Sequence, residues 1–384
     1  MTVSALTRPG ERDRLIVKLA NIDWTFTLLL TVIAGIGGVM LYSIAGGSWL
    51  PWAAPHLIRF GGCVVLMILL AMVDLRVWFA LAYPVYAIGI VLLAAVDVVG
   101  HSALGAQRWL DLGPIRIQPS EIIKIGLVLA LARFYHSLSG RDARLSWWLL
   151  IPAGLIGLPM ALVAKQPDLG TALLIGATGG VMMILAGLSL RLVAVGLAGL
   201  VAVVPAAFMF VLKGYQKARL LTFLDPEADK SGSGYHIMQS KIALGSGGLL
   251  GKGFGLGTQS QLNFLPEKQT DFIFSSLAEE FGFVGSVAVL LLYMAVIFMA
   301  LRIASVSHSH FGRMAASGVT ATFALCLMIN GAMVMGLAPV VGVPMPLLSW
   351  GGTVMITVMV GFGLVQSVRV HRYSEVTSGR GAIL

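Results

Sequence analysis

Asp271 lies where a polar stretch of the chain gives way to an apolar one, with LPEKQT before it and the apolar residues 272–274 directly after it. A carboxylate at a half-buried position can serve as a general base, because burial and neighbouring charges tune its proton affinity. Alternatively, Thr270 or Asp271 starts the next helix, and the carboxylate caps it or interacts with its dipole. The residues alone leave both roles open.

Glu121 and Lys124 form a second charged constellation, in the segment PSEIIK. Their spacing of three places them on one face of a helix, for which Pro119 is suited to the entrance and Ser120 is a plausible N-cap. Ionisable residues in spanning helices usually face water, substrate or each other. The pair is therefore either an ion pair that neutralises itself at the membrane boundary or part of the lining of a polar cavity.

Three further segments carry polar or irregular backbone. Asp168 precedes an apolar run and is expected to cap a helix, with Lys165 close by. Residues 338–353 contain three prolines and a Gly-Gly pair, which predicts broken backbone lining a cavity. Glu279 and Glu280 lie two turns beyond Asp271, and at least one of them should face a polar interior.

A glycine-rich stretch at 245–253, GSGGLLGKG, superficially resembles a phosphate-binding loop. That motif needs four residues between its glycines and then Lys followed by Ser or Thr. Here three residues separate Gly247 from Gly251, and Gly253 follows Lys252. The spacing excludes nucleotide binding of this type, and the glycines are better suited to sharp turns and close packing.

The elements that position these residues are apolar helices, because hydrophobic residues make up 58% of the 384 positions and charged ones only 11%. A spanning helix needs about 20 mainly apolar residues. Ten segments fit: 23–44, 57–73, 79–98, 120–135, 147–164, 170–188, 192–212, 275–301, 314–337 and 347–368. We therefore predict an all-α polytopic membrane protein with a single domain over residues 1–384.

The basic residues predict the orientation of these helices. One side's short loops and tails hold fourteen Lys and Arg, and the other side's hold five. Both tails, 1–22 and 369–384, should then be cytoplasmic, and the long loop at 213–274, between the seventh and eighth helices, should lie outside. The net charge of +9 reflects this asymmetry, so nucleic acid is not an expected partner. Cys63 and Cys326 lie within predicted helices and are interpreted as packing residues.

The outer surface has the residue types for sugar transfer from a lipid-linked phosphate. Such a reaction needs a base for the acceptor hydroxyl and cations for the pyrophosphate leaving group. Asp271 could supply the first. The candidates for the second are Arg108, Lys124, Lys241, Lys252 and Lys268.

Four separated motifs, in this order, resemble the shape, elongation, division and sporulation (SEDS) family of bacterial membrane proteins, and its elongation members most. They are GAQRWLDLGPIRIQPSEIIKI, KQPDLGTA, GYHIMQSKIALGSGGLLGKGFGLGTQSQLNFLPEKQTDFIFSSLAEEFGF and VVGVPMPLLSWGG. The resemblance runs from the first predicted span to the last. It implies ten transmembrane helices and a peptidoglycan glycosyltransferase that polymerises lipid II during cell elongation and rod-shape maintenance.

The family's catalytic aspartate, in its TDF motif, corresponds here to Asp271. It would deprotonate the GlcNAc 4-hydroxyl of one substrate, which attacks C1 of the donor MurNAc and releases undecaprenyl pyrophosphate with a new β-1,4 linkage. The charged pair of the PSEIIK motif corresponds to Glu121 and Lys124, which favours the cavity role. The residues expected to bind substrate are Arg108, Trp109, Gln118, Ser120, Glu121, Lys124, Lys165, Asp168, Gln239, Lys241, Glu267, Lys268, Thr270 and Ser349.

The resemblance also implies partners and a location. A class B penicillin-binding protein, which is a transpeptidase, and other membrane proteins of the elongation complex are the expected partners, in the bacterial cytoplasmic membrane with the active site outside. Carboxylates near a pyrophosphate would suit Mg²⁺ or Mn²⁺, but no ligand spacing requires a metal. Two other functions stay open: a lipid II flippase or other transporter, and a non-catalytic scaffold.

Overall fold

A computed structural model of the chain describes residues 15–99, 101–103, 106–111, 116–138, 149–166, 168–189, 191–192, 194–196, 198–199, 202, 214–225 and 232–376. The helices before the long polar segment are α1 (Leu15–Ala20), α2 (Trp24–Ile44), α3 (Ala53–Ala71), α4 (Leu75–Val99), α5 (Pro119–Leu138), α6 (Leu150–Lys165) and α7 (Leu169–Leu185). Those that follow are α8 (Gly214–Leu224), α9 (Ser233–Ser246), α10 (Thr258–Gln261), α11 (Ile273–Val306), α12 (His310–Val334) and α13 (Gly352–Val370).

Nine of the ten predicted spans coincide with helices, namely α2 to α7 and α11 to α13. Six of these are long and apolar enough to cross a membrane: α2, α3, α4, α11, α12 and α13. The helices α6 and α7 are apolar but shorter. The remaining prediction, 192–212, falls mostly outside the described residues, although the described positions between 191 and 202 are helical.

The centre of the bundle is formed by α5 and α12. On α5 the side chains of residues 127–132 are all buried, and this helix packs against α4, α7 and α12. Helix α13 packs against α3, and α11 against α2 and α12. Large apolar side chains such as Ile58, Val91, Leu291 and Phe298 point outward from the bundle, as expected of surfaces that face lipid.

Side chains cap several helices as their types predict. The Asp168 carboxylate accepts a hydrogen bond from the Thr171 amide at 3.2 Å, so the predicted N-cap of α7 is confirmed. Helix α5 begins at Pro119, which places Ser120 inside the helix and makes the prediction of Ser120 as its N-cap wrong. The predicted start of α11 at Thr270 or Asp271 is also wrong, because the N-cap position is Phe272.

A small antiparallel sheet departs from the predicted all-helical chain. Its strands are β1 (His101–Ala103), β2 (Ala106–Asp111) and β3 (Arg116–Ile117), with β2 in the middle. Leu110 is in register with Ile117. This sheet precedes α5 and holds Trp109 beside the start of that helix.

The long polar segment contains structure of its own, since α8, α9 and α10 lie within the predicted loop 213–274. Helix α11 is broken at Gly282, whose φ of 65° and ψ of −161° are not helical. A side chain is strongly disfavoured at such a φ, which explains why glycine stands there.

Candidate functional site

A cavity of about 710 Å³ opens between four parts of the described chain. These are the junction of β2 with α5, the start of α7, the segment that leads into α11, and the irregular segment before α13. The polar side chains that line the cavity are Trp109, Gln118, Glu121, Lys124, Asp168, Thr171, His236, Glu267, Thr270, Asp271, Trp350 and Thr353.

Glu121 and Lys124 lie on the first turns of α5 and form an ion pair of 2.8 Å. Each side chain is 7% exposed. Only one carboxylate oxygen of Glu121 accepts from Lys124, and the other, Oε2, is buried with no hydrogen-bond partner among the residues that the structure describes. The pair is thus both buried and part of the cavity wall, which combines the two roles that the sequence left open.

Asp271 lines the same cavity, two residues before α11, and its side chain is partly buried. Phe272 occupies the N-cap position of α11, so Asp271 lies one residue before the cap. Gly342 lines the same cavity, and its backbone has a φ of +72°. A Cβ at that position would make an ordinary contact of 3.7 Å with Oδ2 of Asp271, so the positive φ accounts for the glycine and space does not.

Buried hydrogen bonds fix the walls around Asp271. The side-chain amide of Asn330, which is fully buried on α12, donates to the backbone carbonyl of Asp271 at 2.9 Å and to that of Val343 at 2.8 Å. The Trp350 amide donates to the Gln269 carbonyl at 2.8 Å. These bonds join the segment before α11 to the segment before α13, so the backbone that carries Asp271 is held from both sides.

The structure brings together eight of the fifteen predicted site residues. The cavity is lined by Trp109, Gln118, Glu121, Lys124, Asp168, Glu267, Thr270 and Asp271. The predicted cavity wall at 338–353 is also confirmed, since residues 340–344 and 350–354 line the cavity.

Six predicted residues do not line this cavity. Ser120 is buried within α5, Lys165 is exposed at the end of α6, and Gln239 is partly buried on α9. The Ser349 hydroxyl accepts from the Met345 amide at 2.9 Å and thereby stabilises a turn. Lys241 is exposed and lies against Gly336.

Lys268 is the sixth, and its ammonium donates to the Ser260 carbonyl and to Asn263 Oδ1 at 2.5 and 2.8 Å. Burial lowers the pKa of Lys268 below that of an ordinary lysine. Lys252, also considered for the leaving group, forms an ion pair of 2.7 Å with Glu279. The side chain of Arg108 lies outside the described residues, although its backbone is in β2. Lys124 is therefore the cation that the described structure places in the cavity wall.

Sequence reasoning missed several residues of the site. His236 of α9 and Thr171 of α7 line the cavity, and so does Cys326, which was interpreted as a packing residue only. The Arg59 guanidinium stacks over the Trp350 ring with its carbon 4.3 Å from the ring centroid, which places a cation behind the cavity wall. His236 stands between Tyr235 and Ile237, and these neighbours give no local signal of a cavity residue.

The fit of a divalent cation can be judged from the carboxylates. Asp168, Glu267 and Asp271 line the cavity, but within the described ranges no three His, Cys, Asp or Glu side chains group closely enough to hold a metal ion. The described side chains thus do not provide a preformed metal site.

Comparison with known proteins matches nearly the whole chain. The profile of the FtsW/RodA/SpoVE family, described as cell cycle protein, matches residues 20–374. The chain is 43% identical over 358 residues to the peptidoglycan glycosyltransferase MrdB of Escherichia coli strain K12, covering 92% of this chain and 94% of that protein. It is 32% identical over 363 residues to the probable peptidoglycan glycosyltransferase FtsW of Trichlorobacter lovleyi, covering 91% and 94%.

Two solved structures are similar in fold and sequence. One comes from a peptidoglycan synthase complex that coordinates polymerization and crosslinking, with a TM-score of 0.79, 34% identity and coverage of 92% of this chain and 98% of that one. The other is the rod shape determining protein RodA of Thermus thermophilus, with a TM-score of 0.68, 31% identity and coverage of 92% and 98%.

Proposed function

This chain belongs to the FtsW/RodA/SpoVE family and is a multi-pass membrane peptidoglycan glycosyltransferase, and we propose that its cavity polymerises lipid II during cell elongation with Asp271 as the catalytic base. The observation that carries the proposal is that the Asp271 carboxylate and the Lys124 ammonium line one cavity of about 710 Å³. A base and a cation facing a single space are what glycosyl transfer from a pyrophosphate requires.

In the proposed reaction the Asp271 carboxylate accepts the proton of the GlcNAc 4-hydroxyl of one substrate. The freed oxygen forms a bond to C1 of the donor MurNAc, and the bond between C1 and the phosphate oxygen breaks. The electron pair of that bond leaves with undecaprenyl pyrophosphate, and the new linkage is β-1,4. The hydrogen bond from Asn330 to the Asp271 backbone supports a fixed position for the base.

The negative charge that develops on the leaving pyrophosphate needs fixed positive charge nearby. Lys124 is the first candidate, and Arg59 lies behind Trp350 at the cavity wall. Trp109, Gln118, Asp168, Glu267 and Thr270 are proposed as further substrate contacts because they line the same space. Since the described side chains offer no three-ligand set for Mg²⁺ or Mn²⁺, no step is assigned to a metal.

The test is polymerisation of lipid II in detergent by the purified chain together with its transpeptidase partner. Asp271→Asn should abolish polymer while leaving the melting temperature and the size-exclusion profile unchanged. The matched control is Asp225→Asn, the same chemical change at an exposed residue that does not line the cavity, and it should polymerise like the wild type.

The outcomes separate the rival functions, because transport across a membrane has no meaning in detergent. Full activity of Asp271→Asn would remove Asp271 from the mechanism. No polymer from the wild-type protein with an active partner would favour a lipid II flippase or a scaffold instead.

The predicted spans and the basic residues support a specific number and orientation of membrane crossings. We propose ten crossings, with both tails in the cytoplasm and the segment between the seventh and eighth crossings outside the bacterial cytoplasmic membrane. The excess of basic residues on one side supports it. A similar chain occurs in a peptidoglycan synthase complex, which supports a class B penicillin-binding protein as partner, with other membrane proteins of the elongation complex.

A further inference from the structure

The segment between α9 and α11 exposes large apolar side chains in a part of the chain that was predicted to be a polar loop. Together with two residues that follow α2, they form what we term the apolar patch: Trp49, Leu50, Leu249, Leu250, Phe254, Leu256, Leu262 and Phe264. Their exposed fractions run from 44% to 80%. This density of exposed Leu and Phe is unusual for a surface that faces water, where such a patch marks contact with a membrane or a protein.

The part of this segment that carries the patch is almost free of charge. Between positions 242 and 266 the only ionisable side chain is Lys252. Its ammonium lies 2.7 Å from the carboxylate of Glu279, which is fully buried, so the two charges compensate each other. Transfer of a loop without net charge out of bulk water costs little free energy, whereas unpaired charges would make that transfer unfavourable.

Backbone hydrogen bonds also join the segment to the broken part of α11. The amides of Lys252 and Gly253 donate to the carbonyls of Glu279 and Glu280, each at 3.0 Å. In return the amides of Phe283 and Val284 donate to the carbonyls of residues 248 and 249. These four bonds use the polar groups that the break of α11 at Gly282 would otherwise leave unpaired. Non-helical backbone is tolerated near hydrocarbon only when its polar groups are paired in this way.

The patch continues into surfaces that face lipid. Phe283 and Val284, at the break of α11, are 63% and 55% exposed, and α11 is one of the apolar spanning helices. Aromatic rings join this surface to α2, because Phe254 contacts both Tyr42 and Phe281. Tyr42 also contacts Trp49. Aromatic residues concentrate at the boundary between lipid headgroups and acyl chains.

We propose that the apolar patch lies in the bilayer, at the boundary of headgroups and acyl chains next to the end of α2. The neutral charge, the paired backbone and the continuity with α2 and α11 together favour lipid over a protein partner. This proposal does not depend on the reaction assigned to the cavity. It places residues 249–264 in the membrane surface instead of the aqueous compartment.

The test uses nitroxide spin labels on the full-length protein in nanodiscs of phosphatidylethanolamine and phosphatidylglycerol. Single cysteines replace Leu250 and Leu256 in the patch, Leu291 on the lipid-facing side of α11, and the exposed Asp225 as the aqueous reference. The parent chain measures background labelling, since its two cysteines are buried. The readout is the ratio of oxygen accessibility to nickel-chelate accessibility, which rises with depth in the bilayer.

The labels at 250 and 256 should give ratios closer to that of the label at 291 than to that at 225. Ratios equal to that at 225 would overturn the proposal. Labels that are open to the nickel chelate in the chain alone, and become shielded from both reagents on addition of the transpeptidase, would also overturn it and assign the patch to the partner protein.

Discussion

The ion pair between Glu121 and Lys124 offers a quantitative test of whether charge in the cavity wall is structural or functional. At 2.8 Å and an effective dielectric constant of about 20, the attraction between two unit charges is about 6 kcal/mol. Because both side chains are buried, desolvation offsets most of this attraction. Removing one partner leaves the other charge buried alone, so Lys124→Met and Glu121→Gln should each destabilise the protein by about 3–5 kcal/mol.

The double variant, Glu121→Met with Lys124→Met, removes both charges and leaves apolar side chains of similar volume. It should be about as stable as the wild type, because replacing a buried ion pair by hydrophobic residues of similar volume is often neutral or stabilising by about 1–4 kcal/mol. Stability is measured by unfolding in mixed micelles, and activity by polymerisation of lipid II under the same conditions.

If Lys124 stabilises the leaving group, the stable double variant should still lose about 10²–10³-fold in rate, as expected when a preorganised electrostatic contact is removed. A double variant that is stable and fully active would refute the catalytic role of the pair. Single variants as stable as the wild type would refute the reasoning about burial itself.

Three further predictions concern residues around the cavity. Asn330→Leu leaves the carbonyls of Asp271 and Val343 without their donor, so it should cost about 2–4 kcal/mol of stability and lower the rate at saturating lipid II; an unchanged rate would show that Asn330 does not position Asp271. Glu279→Gln removes the partner of Lys252 and should increase amide hydrogen exchange over residues 251–260, whereas unchanged exchange would show that the ion pair does not hold that segment. Burial lowers the pKa of Lys268 in the folded state, so between that pKa and the ordinary lysine value of about 10.4 the unfolded chain binds more protons and stability should rise with pH. Lys268→Met should flatten this part of the stability profile, and an identical profile in that variant would assign the pH dependence to other groups.

The positions of the helices along the chain could be predicted from the local pattern of apolar residues. The apolar segments were long enough to be recognised one by one, and nine of ten coincide with helices of the structure. Asp168 was identified as a cap because capping joins residues only three apart. Local pattern failed at the helix starts near Ser120 and Asp271, where the boundary lies one to three residues from the predicted position.

Tertiary packing decided which polar side chains meet. Lys124, Lys252 and Lys268 looked equivalent as candidate cations, but the structure turns the first into the cavity and pairs the other two elsewhere. Arg59 and Trp350 come from helices and loops far apart in the chain, and no spacing in the sequence predicts their contact.

The sequence by itself determined that the chain crosses a membrane, and its motifs identified Asp271, Glu121 and Lys124 as the residues to test. These conclusions rest on hydrophobic runs and short motifs, which are properties of neighbouring residues. Only the tertiary structure decided that the three residues share one cavity, that Asn330 holds the backbone of Asp271, and that the long segment presents apolar side chains. The first two depend on contacts between residues about 60 or more positions apart, and the third depends on which side chains stay exposed after packing. Neither can be read from the pattern of neighbouring residues.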